Sequence, residues 1–347
     1  MDKKILLTGW GFPPDIDGGL DIHVKHLFEQ LESRGLDVKL FLPSENAPDM
    51  ENVEAIDTGD GDMVQKAREM SAEVARQAEN FDIVHTHDWF GAEAGFKAKK
   101  YSDAKWISTM HSLSSSRSRK SYGALEELEK TAVEHSDKLL AVSEKLGDEI
   151  EDRYGKRPQV IHNGFSRPSK EGKNIREELN IDNDMIFFVG RHAEQKGLEH
   201  LLYGFRKFLD DGGEATLVVG GDGHLTETLK DFTEILGLEN DVVFTGFIPD
   251  RELGDYYQSA DLFVSPSINE PFGLTITEAL ESGTVVAATE SGVEEVLSGE
   301  YIVSIDPDSD SIAEGISKGL EKDFPGVFES RTWGDMADEV LEVYRGL

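Results

Sequence analysis

The chain has 347 residues, 38% of them hydrophobic, which is enough for two domains with buried cores. Its 69 acidic and 35 basic residues give a formal net charge of −34, and the acidic residues are dispersed along the chain. This charge argues against a nucleic-acid partner, which needs clustered cations. The absence of cysteine excludes disulfides and thiolate metal sites.

The acidic composition also predicts a dependence on salt. Like charges at this density repel one another, and dissolved ions screen the repulsion. We therefore interpret the surface as that of a halophile, adapted to high intracellular salt. No run approaches the roughly 18 apolar residues of a membrane span, and MDKKILLTGW contains a strand rather than a signal peptide. The expected location is the cytoplasm, with peripheral membrane contact left open.

The first half of the chain alternates strand-like and helical segments. After the strand 4–8 and the loop GWGFPPDIDGG, a helix that stops at Gly35 carries an apolar stripe: Leu20, Val24, Leu27 and Leu31. Further strands are predicted at 37–42, 53–56, 83–85, 105–110, 138–142 and 159–162, and helices at 63–78 and 122–136. The alternation predicts a parallel sheet with helices on both faces. The motif G-x-G-x-x-G is absent, which weakens a dehydrogenase interpretation.

Two predicted strands of this half end in histidines. The segment DIVHTHDWF ends in His85, His87 and Asp88, and these residue types alone would also suit a metal cluster. The strand 105–110 brings His111 to its carboxyl end, the edge where open α/β sheets bind ligands.

The second half begins with the polar segment 166–183, which contains Pro168 and Gly172 and is interpreted as the connection between domains. A strand at 184–189 then leads into GRHAEQKG, so that Arg191 and Lys196 lie between a strand end and a helix. Further segments with strand or helix patterns are 198–209, 215–219, 242–245 and 332–347.

The stretch 265–288, SPSINEPFGLTITEALESGTVVAA, follows the apolar strand 262–264 and combines a polar turn with a short helix. The free amides at the start of that helix would point at an anion or at sugar hydroxyls. These amides belong to Gly273, Leu274 and Thr275. Two carboxylates flank them, Glu270 in the turn and Glu278 in the helix.

The arrangement Glu-x7-Glu in EPFGLTITE closely resembles the signature of retaining GT-B glycosyltransferases, the large family that contains glycogen synthases and mannosyltransferases. The resemblance covers nearly the whole chain. It implies an α/β protein with the GT-B fold, in which two Rossmann-like, doubly wound parallel-sheet domains face a cleft. The expected domains are 1–165 and 184–330, joined by the connection 166–183, with a C-terminal helix in 331–347 that crosses back to the first domain.

The resemblance also implies roles for the matching residues. Glu270 contacts the donor sugar and His111 lies beside its anomeric carbon, which makes these two the expected catalytic residues. The donor diphosphate is assigned to Gly18, Gly19, Arg191 and Lys196, and the donor sugar and ribose to Gly273, Leu274, Thr275 and Glu278. No metal is expected, because related His-x-His-Asp-Trp elements line the cleft without one and two cations can stabilise the departing diphosphate.

The predicted function is therefore a metal-independent, retaining transfer of a hexose, expected to be glucose, from a nucleotide diphosphate sugar to an acceptor hydroxyl. The acceptor is a carbohydrate or a lipid-linked molecule, and no cofactor is needed besides the donor substrate. A nucleotide-sugar 2-epimerase and a non-catalytic nucleotide-sugar-binding protein stay open as alternatives. A glycosidase is disfavoured, since two helical glutamates eight residues apart would lie about 12 Å apart, against about 5–5.5 Å in retaining glycosidases. The donor base, the linkage and the role of the basic loop from Arg117 to Lys120 are left open.

Overall fold

The computed structural model describes residues 3–13, 18–117, 123–297, 300–324, 326 and 329–347. The chain divides into two compact units. One consists of Met1–Gly164 together with Arg331–Leu347, and the other of Phe165–Ser330. Among the described residues, no helix has both the length and the apolar character needed to cross a membrane.

In the first unit, the described strands form a single parallel sheet. They are β1 (Lys4–Thr8), β2 (Asp37–Pro43), β3 (Val53–Ile56), β4 (Ile83–His87), β5 (Lys105–Met110), β6 (Lys138–Ala141) and β7 (Gln159–Val160). Their order is β3-β2-β1-β4-β5-β6-β7. The winding reverses between β1 and β4, where Leu7 lies opposite His85. At such a switch point the loops leave the carboxyl ends of adjacent strands in opposite directions, and the crevice between them is where open sheets bind ligands.

The α-helices of this unit in the first 164 residues lie between successive strands, except that β2 and β3 are joined without one and β5 and β6 are joined by two. They are α1 (Gly19–Ser33), α2 (Met63–Gln77), α3 (Ala92–Tyr101), α4 (Ser114–Arg117), α5 (Gly123–His135) and α6 (Glu144–Tyr154). The stripe predicted for α1 buries Val24, Leu27 and Leu31, as an amphipathic helix on a sheet should. Helix α6 is capped at both ends. The Ser143 side chain accepts a hydrogen bond from the Leu146 amide at the N-terminus, and Gly155 adopts the left-handed conformation at the C-terminus.

The second unit repeats the arrangement with a smaller sheet. Its described strands are β8 (Asp184–Val189), β9 (Ala215–Gly220), β10 (Val242–Gly246), β11 (Leu262–Ser265), β12 (Val285–Ala288) and β13 (Ile302–Ser304). They are all parallel in the order β10-β9-β8-β11-β12-β13, so the switch point lies between β8 and β11. The strands are continuous apolar runs because helices cover a parallel sheet on both faces.

The helices of the second unit are α7 (Ile175–Leu179), α8 (Leu198–Asp210), α9 (Thr226–Ile235), α10 (Asp250–Ser259), α11 (Leu274–Ser282) and α12 (Ser309–Leu320). Close packing of α8 on α12 depends on Gly204, where a Cβ would lie 2.5 Å from the Ile312 side chain. The predicted parallel α/β organisation is confirmed in both units.

Some predicted ends differ from the observed ones. The strand predicted to end at 85 continues to His87, because ladder pairing with β5 extends to the pair His87 and Thr109. The strand predicted at 159–162 is confined to Gln159–Val160, where its pairing with β6 also stops. Helix α2 ends at Gln77, and a tighter turn follows it. The ends of these strands depend on how far the neighbouring strand pairs with them. A local sequence pattern does not contain that information.

The segment 166–183, interpreted from the sequence as a connection, belongs to the second unit and contains α7. The Asp255 carboxylate accepts hydrogen bonds from the amides of Glu171 at 2.8 Å and Gly172 at 3.0 Å. The Arg176 guanidinium donates to the carbonyls of Ser259 and Asn183. These contacts make the segment an ordered part of the second unit.

The final helix, α13 (Trp333–Arg345), belongs to the first unit. It starts with a capping box between Thr332 and Asp335. The Tyr344 hydroxyl lies 2.7 Å from His85 Nδ1 of β4. A Cβ on Gly164 would lie 2.3 Å from the Trp333 backbone nitrogen, so the helix start requires glycine there. The C-terminus is thus built into the first unit at both ends of α13.

Candidate active site

The switch point of the second unit brings Lys196 and Glu270 together. Lys196 follows β8 and Glu270 follows β11, and because these strands are neighbours, their loops meet at one edge of the sheet. Lys196 Nζ lies 2.7 Å from Glu270 Oε2, and the Ser267 hydroxyl donates to the same oxygen at 3.0 Å. Glu270 is 8% exposed. The sequence predicted both residues as site residues but not their contact, and it missed Ser267.

Backbone contacts hold the two loops in this position. The Ile268 amide donates to the Gln195 carbonyl at 2.8 Å. Gly197 has φ +66°, and a Cβ there would lie 2.1 Å from the Pro266 carbonyl oxygen. Only glycine therefore allows the loop that carries Lys196 to approach the loop that carries Glu270 this closely.

Helix α11 begins at Leu274, four residues after Glu270, so its first amides lie at the same edge of the sheet. Gly273 caps the helix in the left-handed region, with φ 100°, and its carbonyl accepts from the amides of Ile276 and Thr277. The amides of Gly273, Leu274 and Thr275 precede the first intrahelical hydrogen bond and carry the positive end of the helix dipole. An anion or a sugar hydroxyl is the natural partner for such amides.

Glu278 lies inside α11, partly buried against α10. The Tyr257 hydroxyl donates a hydrogen bond to its carboxylate at 2.9 Å. Burial raises the pKa of Glu278 from 4.5 to about 7, the hydrogen bond from Tyr257 opposes the rise, and the negative charge of Asp250 adds to it. Contact of Glu278 with ribose remains a prediction. The partner Tyr257 was missed, because nothing local links two positions 21 residues apart.

Arg191, the second predicted diphosphate cation, is exposed at the end of β8. In the part of the chain that the structure describes, its guanidinium has no ion-pair partner.

The adjacent His192 is fully buried, with Nδ1 2.8 Å from the Thr226 hydroxyl, and it lines a cavity of about 280 Å³ with Phe244 and Gly246. A Cβ on Gly221 would lie 2.0 Å from the Gly190 carbonyl oxygen, so glycine is required where this loop crosses β8.

Gly18 and Gly19 lie at the start of α1, downstream of β1 in the first unit. Gly18 is extended, with φ 169°, a conformation that any residue adopts, and its carbonyl accepts from the Asp21 amide. The buried Asp21 carboxylate accepts from the Gly11 amide at 2.8 Å and so ties the loop after β1 to the helix. Contact of the two glycines with a diphosphate remains a prediction. Residues 14–17 lie outside the described part of the chain.

The switch point of the first unit collects three histidines from three elements. Strands β4 and β5 deliver His87 and His111, and α1 delivers His23. His87 Nδ1 lies 3.0 Å from His111 Nε2, and the ring centroids of His23 and His111 are 4.6 Å apart. The three side chains are at most 8% exposed. His23 was missed, although a polar residue beside the apolar stripe of α1 was a signal.

Of the neighbouring residues His85, His87 and Asp88, only His87 belongs to the group of three histidines. His85 is fully buried and uses both ring nitrogens structurally, with the Tyr344 hydroxyl and the Thr109 hydroxyl each at 2.7 Å. Asp88 has φ +49°, and its carboxylate accepts from the His111 amide at 2.6 Å. Asp88 therefore positions His111 through the backbone, and only His87 joins the cluster.

Burial keeps the inner histidines uncharged. It lowers the pKa of His23 to about 4 against an opposing hydrogen bond that His23 donates to Asn163 Oδ1, and it lowers the pKa of His87 well below the usual 6.5. Both imidazoles are therefore neutral near pH 7.

The basic loop proposed from the sequence lies largely outside the described residues, which resume at 123 after Arg117.

Comparisons with known proteins agree with this architecture. The family description Glycosyltransferase Family 4 matches residues 17–167, and Glycosyl transferases group 1 matches residues 171–332. An uncharacterized glycosyltransferase of Methanocaldococcus jannaschii is 30% identical, with 99% of this chain and 98% of the relative covered. The alpha-maltose-1-phosphate synthase of Mycolicibacterium smegmatis is 26% identical, with 96% and 97% covered.

Solved structures share the fold at lower identity. Sucrose-phosphate synthase from Thermosynechococcus elongatus has a TM-score of 0.79 at 21% identity, with 99% of this chain and 98% of that chain covered. HepE from Anabaena, in complex with UDP and glucose, has a TM-score of 0.74 at 20% identity, with 99% and 100% covered. Two doubly wound parallel sheets, each with loops that meet at its switch point, thus define a protein with the GT-B fold. The chain belongs to the group 1, family 4 glycosyltransferases, enzymes that use a nucleotide sugar, and the predicted family and fold are confirmed.

Proposed function

We propose that this glycosyltransferase transfers glucose from a nucleoside diphosphate sugar to an acceptor hydroxyl, with retention of the anomeric configuration and without a metal ion. The observation that carries the proposal is the contact between Lys196 and Glu270 beside the start of α11. It combines a cation, a carboxylate and free helix amides at one sheet edge, which are the groups that a sugar diphosphate requires.

The diphosphate is the part of the donor that changes charge. As the bond to the sugar breaks, negative charge grows on the phosphate oxygens, and preorganised donors stabilise it. Lys196 and Arg191 provide two fixed cations, and the N-terminus of α11 adds its dipole. A metal ion is then unnecessary for leaving-group stabilisation.

The sugar is the part that decides the stereochemistry. Glu270 accepts hydrogen bonds from sugar hydroxyls and His111 contacts the sugar near its anomeric carbon. The acceptor attacks from the face that the phosphate leaves, and a phosphate oxygen takes the acceptor proton. Glucose is supported by the names of relatives, among them glycogen synthase of Mycobacterium tuberculosis, which is 27% identical with 88% of this chain and 82% of the relative covered.

A donor panel tests the proposal. UDP-glucose, ADP-glucose, GDP-glucose and GDP-mannose are compared for their effect on the melting temperature, because a ligand that binds the folded state raises it. One glucose donor should give the largest shift. With that donor, an oligosaccharide acceptor and EDTA, proton NMR of the earliest product should show an α linkage.

Each other outcome contradicts a defined part of the proposal. A β-linked first product excludes retention, and loss of turnover in EDTA excludes metal independence. Conversion of the donor sugar without any acceptor identifies an epimerase. A thermal shift without turnover on an acceptor panel of glucans and lipid-linked sugars identifies a binding protein.

A further inference from the structure

We propose that His23, His87 and His111 form a binding site for a divalent transition-metal ion of the zinc class, and that the ion and the donor sugar exclude each other there. One ligand atom from each of the three imidazoles lies within 4.8 Å of the others. Zinc ions with an open coordination position are commonly held by three protein ligands at about 2.0–2.1 Å, with water in the fourth position. Small movements of the rings would close the set around an ion.

The hydrogen bonding of His23 leaves a lone pair for a metal. His23 Nδ1 lies 2.7 Å from Asn163 Oδ1, and because this oxygen can only accept, Nδ1 carries the proton. The lone pair then resides on Nε2, which is buried and has no hydrogen-bond partner among the described residues. Metal-binding histidines usually show this pattern, in which the nitrogen that does not bind the metal donates to an oxygen.

His87 and His111 supply the other two ligands. They share one proton across the 3.0 Å contact between His87 Nδ1 and His111 Nε2. His87 Nε2 is likewise buried and has no partner within the described ranges. An ion that binds in this group would replace the hydrogen bond between the two rings, and each neutral imidazole would keep its single proton on the nitrogen that does not bind the metal.

The chemistry of the ligands selects the metal. Three imidazoles without a carboxylate favour Zn²⁺, Co²⁺, Ni²⁺ or Cu²⁺ over Mg²⁺ or Ca²⁺, which prefer oxygen ligands. The strongly negative chain also attracts cations.

The consequence for activity rests on the proposed function, in which His111 contacts the donor sugar. An ion that takes the His111 imidazole as a ligand prevents that contact. The metal is thus an inhibitor of a metal-independent enzyme, and the site makes turnover sensitive to free zinc.

The binding experiment requires no catalysis. EDTA-treated protein is freed of chelator and titrated with Co²⁺, with visible absorption and melting temperature as readouts. We expect one equivalent to bind, with the intense absorption of low-coordinate Co²⁺, and Zn²⁺ to displace it. His23→Gln and His87→Gln should each weaken binding at least tenfold, whereas His135→Gln, at a histidine whose side chain is 52% exposed, should not.

X-ray absorption of the zinc-loaded wild type supplies a readout that does not depend on the folding of any variant, and it should show three imidazole ligands. No binding, or binding in both glutamine variants equal to the wild type, overturns the site. In the second arm, the donor chosen by the panel should weaken Co²⁺ binding, and Zn²⁺ should inhibit turnover reversibly. Metal affinity unchanged by the donor overturns the exclusion, while absent transferase activity with intact metal binding contradicts the proposed function alone.

Discussion

Lys196 and Glu270 are coupled to each other by their ion pair, in addition to the separate donor-binding roles proposed for them. Their ion pair is largely shielded from water, with the lysine and glutamate side chains 22% and 10% exposed. Removing one partner leaves the other charge partly buried and uncompensated, which is more costly than losing an exposed pair. We therefore expect a substitution at either position to lower stability, in addition to its proposed effect on catalysis.

Arg191 is exposed and Lys196 is part of a largely buried ion pair, so substitutions at the two positions should have different effects on stability. We expect Arg191→Ala and Lys196→Ala each to lower kcat/KM by about 2–4 kcal/mol of transition-state stabilisation, by analogy with lost oxyanion donors. Only Lys196→Ala should also lower the melting temperature, because Arg191 is exposed. Steady-state kinetics and thermal unfolding check both points. If kcat/KM is unchanged in both variants, GRHAEQKG does not bind the diphosphate.

Glu278 makes the stability of the protein depend on pH. Its pKa in the folded state is raised from 4.5 to about 7 by burial, so between these values the folded protein holds a proton that the unfolded chain has released. The stabilisation from this group is complete below pH 4.5 and is lost as pH rises through about 7. Glu278→Gln cannot titrate, so relative to the wild type it should become more stable as pH rises from about 5 to about 8.

Chemical unfolding at constant ionic strength across this pH range checks the prediction. Glu281→Gln, on the same helix, is the matched control for a change of charge on α11. Curves of unfolding free energy against pH that run parallel for the wild type and Glu278→Gln would show that Glu278 does not titrate in this window.

At the scale of elements, α11 has left-handed glycines at both ends that differ in what surrounds them. Gly273 has φ +100°, and a Cβ there would lie 2.9 Å from Ile276 Cδ1 and 3.5 Å from Glu270 Cγ. Gly283 has φ +81°, and a Cβ at that position would have no neighbouring atom within 4 Å among the described residues. At both positions a residue with a Cβ would strain the backbone, but only Gly273 adjoins the candidate active site.

This difference gives a matched pair of variants. Gly273→Ala and Gly283→Ala should each lower the free energy of unfolding by about 1–2 kcal/mol, the cost of a left-handed conformation for a residue with a Cβ. Gly273→Ala should also weaken donor binding, because it disturbs the first amides of α11 and Glu270. Chemical unfolding and donor titration measure the two effects. Equal donor affinity in both variants would remove the helix start from the donor site.

The net charge of −34 acts on the whole molecule. Repulsion among exposed carboxylates destabilises the folded state and is screened by salt. We expect the melting temperature and turnover to rise as potassium chloride increases from dilute buffer toward about 1 M, where the Debye length falls to about 3 Å. Sucrose at equal osmolality is the control, since it carries no charge. Equal stability in dilute buffer and in high salt would reject the halophilic interpretation.

The sequence alone determined the fold class and where the loops of the candidate site begin. Parallel strands such as β8 and β11 are continuous apolar runs, and the turns that follow them contain Arg191, Lys196 and Glu270, so both signals are local. The resemblance around EPFGLTITE then led to the family, which the comparisons confirm.

Only the tertiary structure decided which of these residues meet. Lys196 contacts Glu270 across 74 positions, because the winding reversal makes β8 and β11 neighbours. The same reversal in the first unit joins His87 and His111 with His23 from α1, whereas His85, two residues from His87, faces Tyr344 and Thr109. His85 and His87 lie on the same face of β4 with their rings 4.7 Å apart, yet they contact different partners because different elements pack beside each of them, and strand order selects those distant partners. Neither property can be read from a local pattern, since both depend on contacts that form only when the sheet assembles.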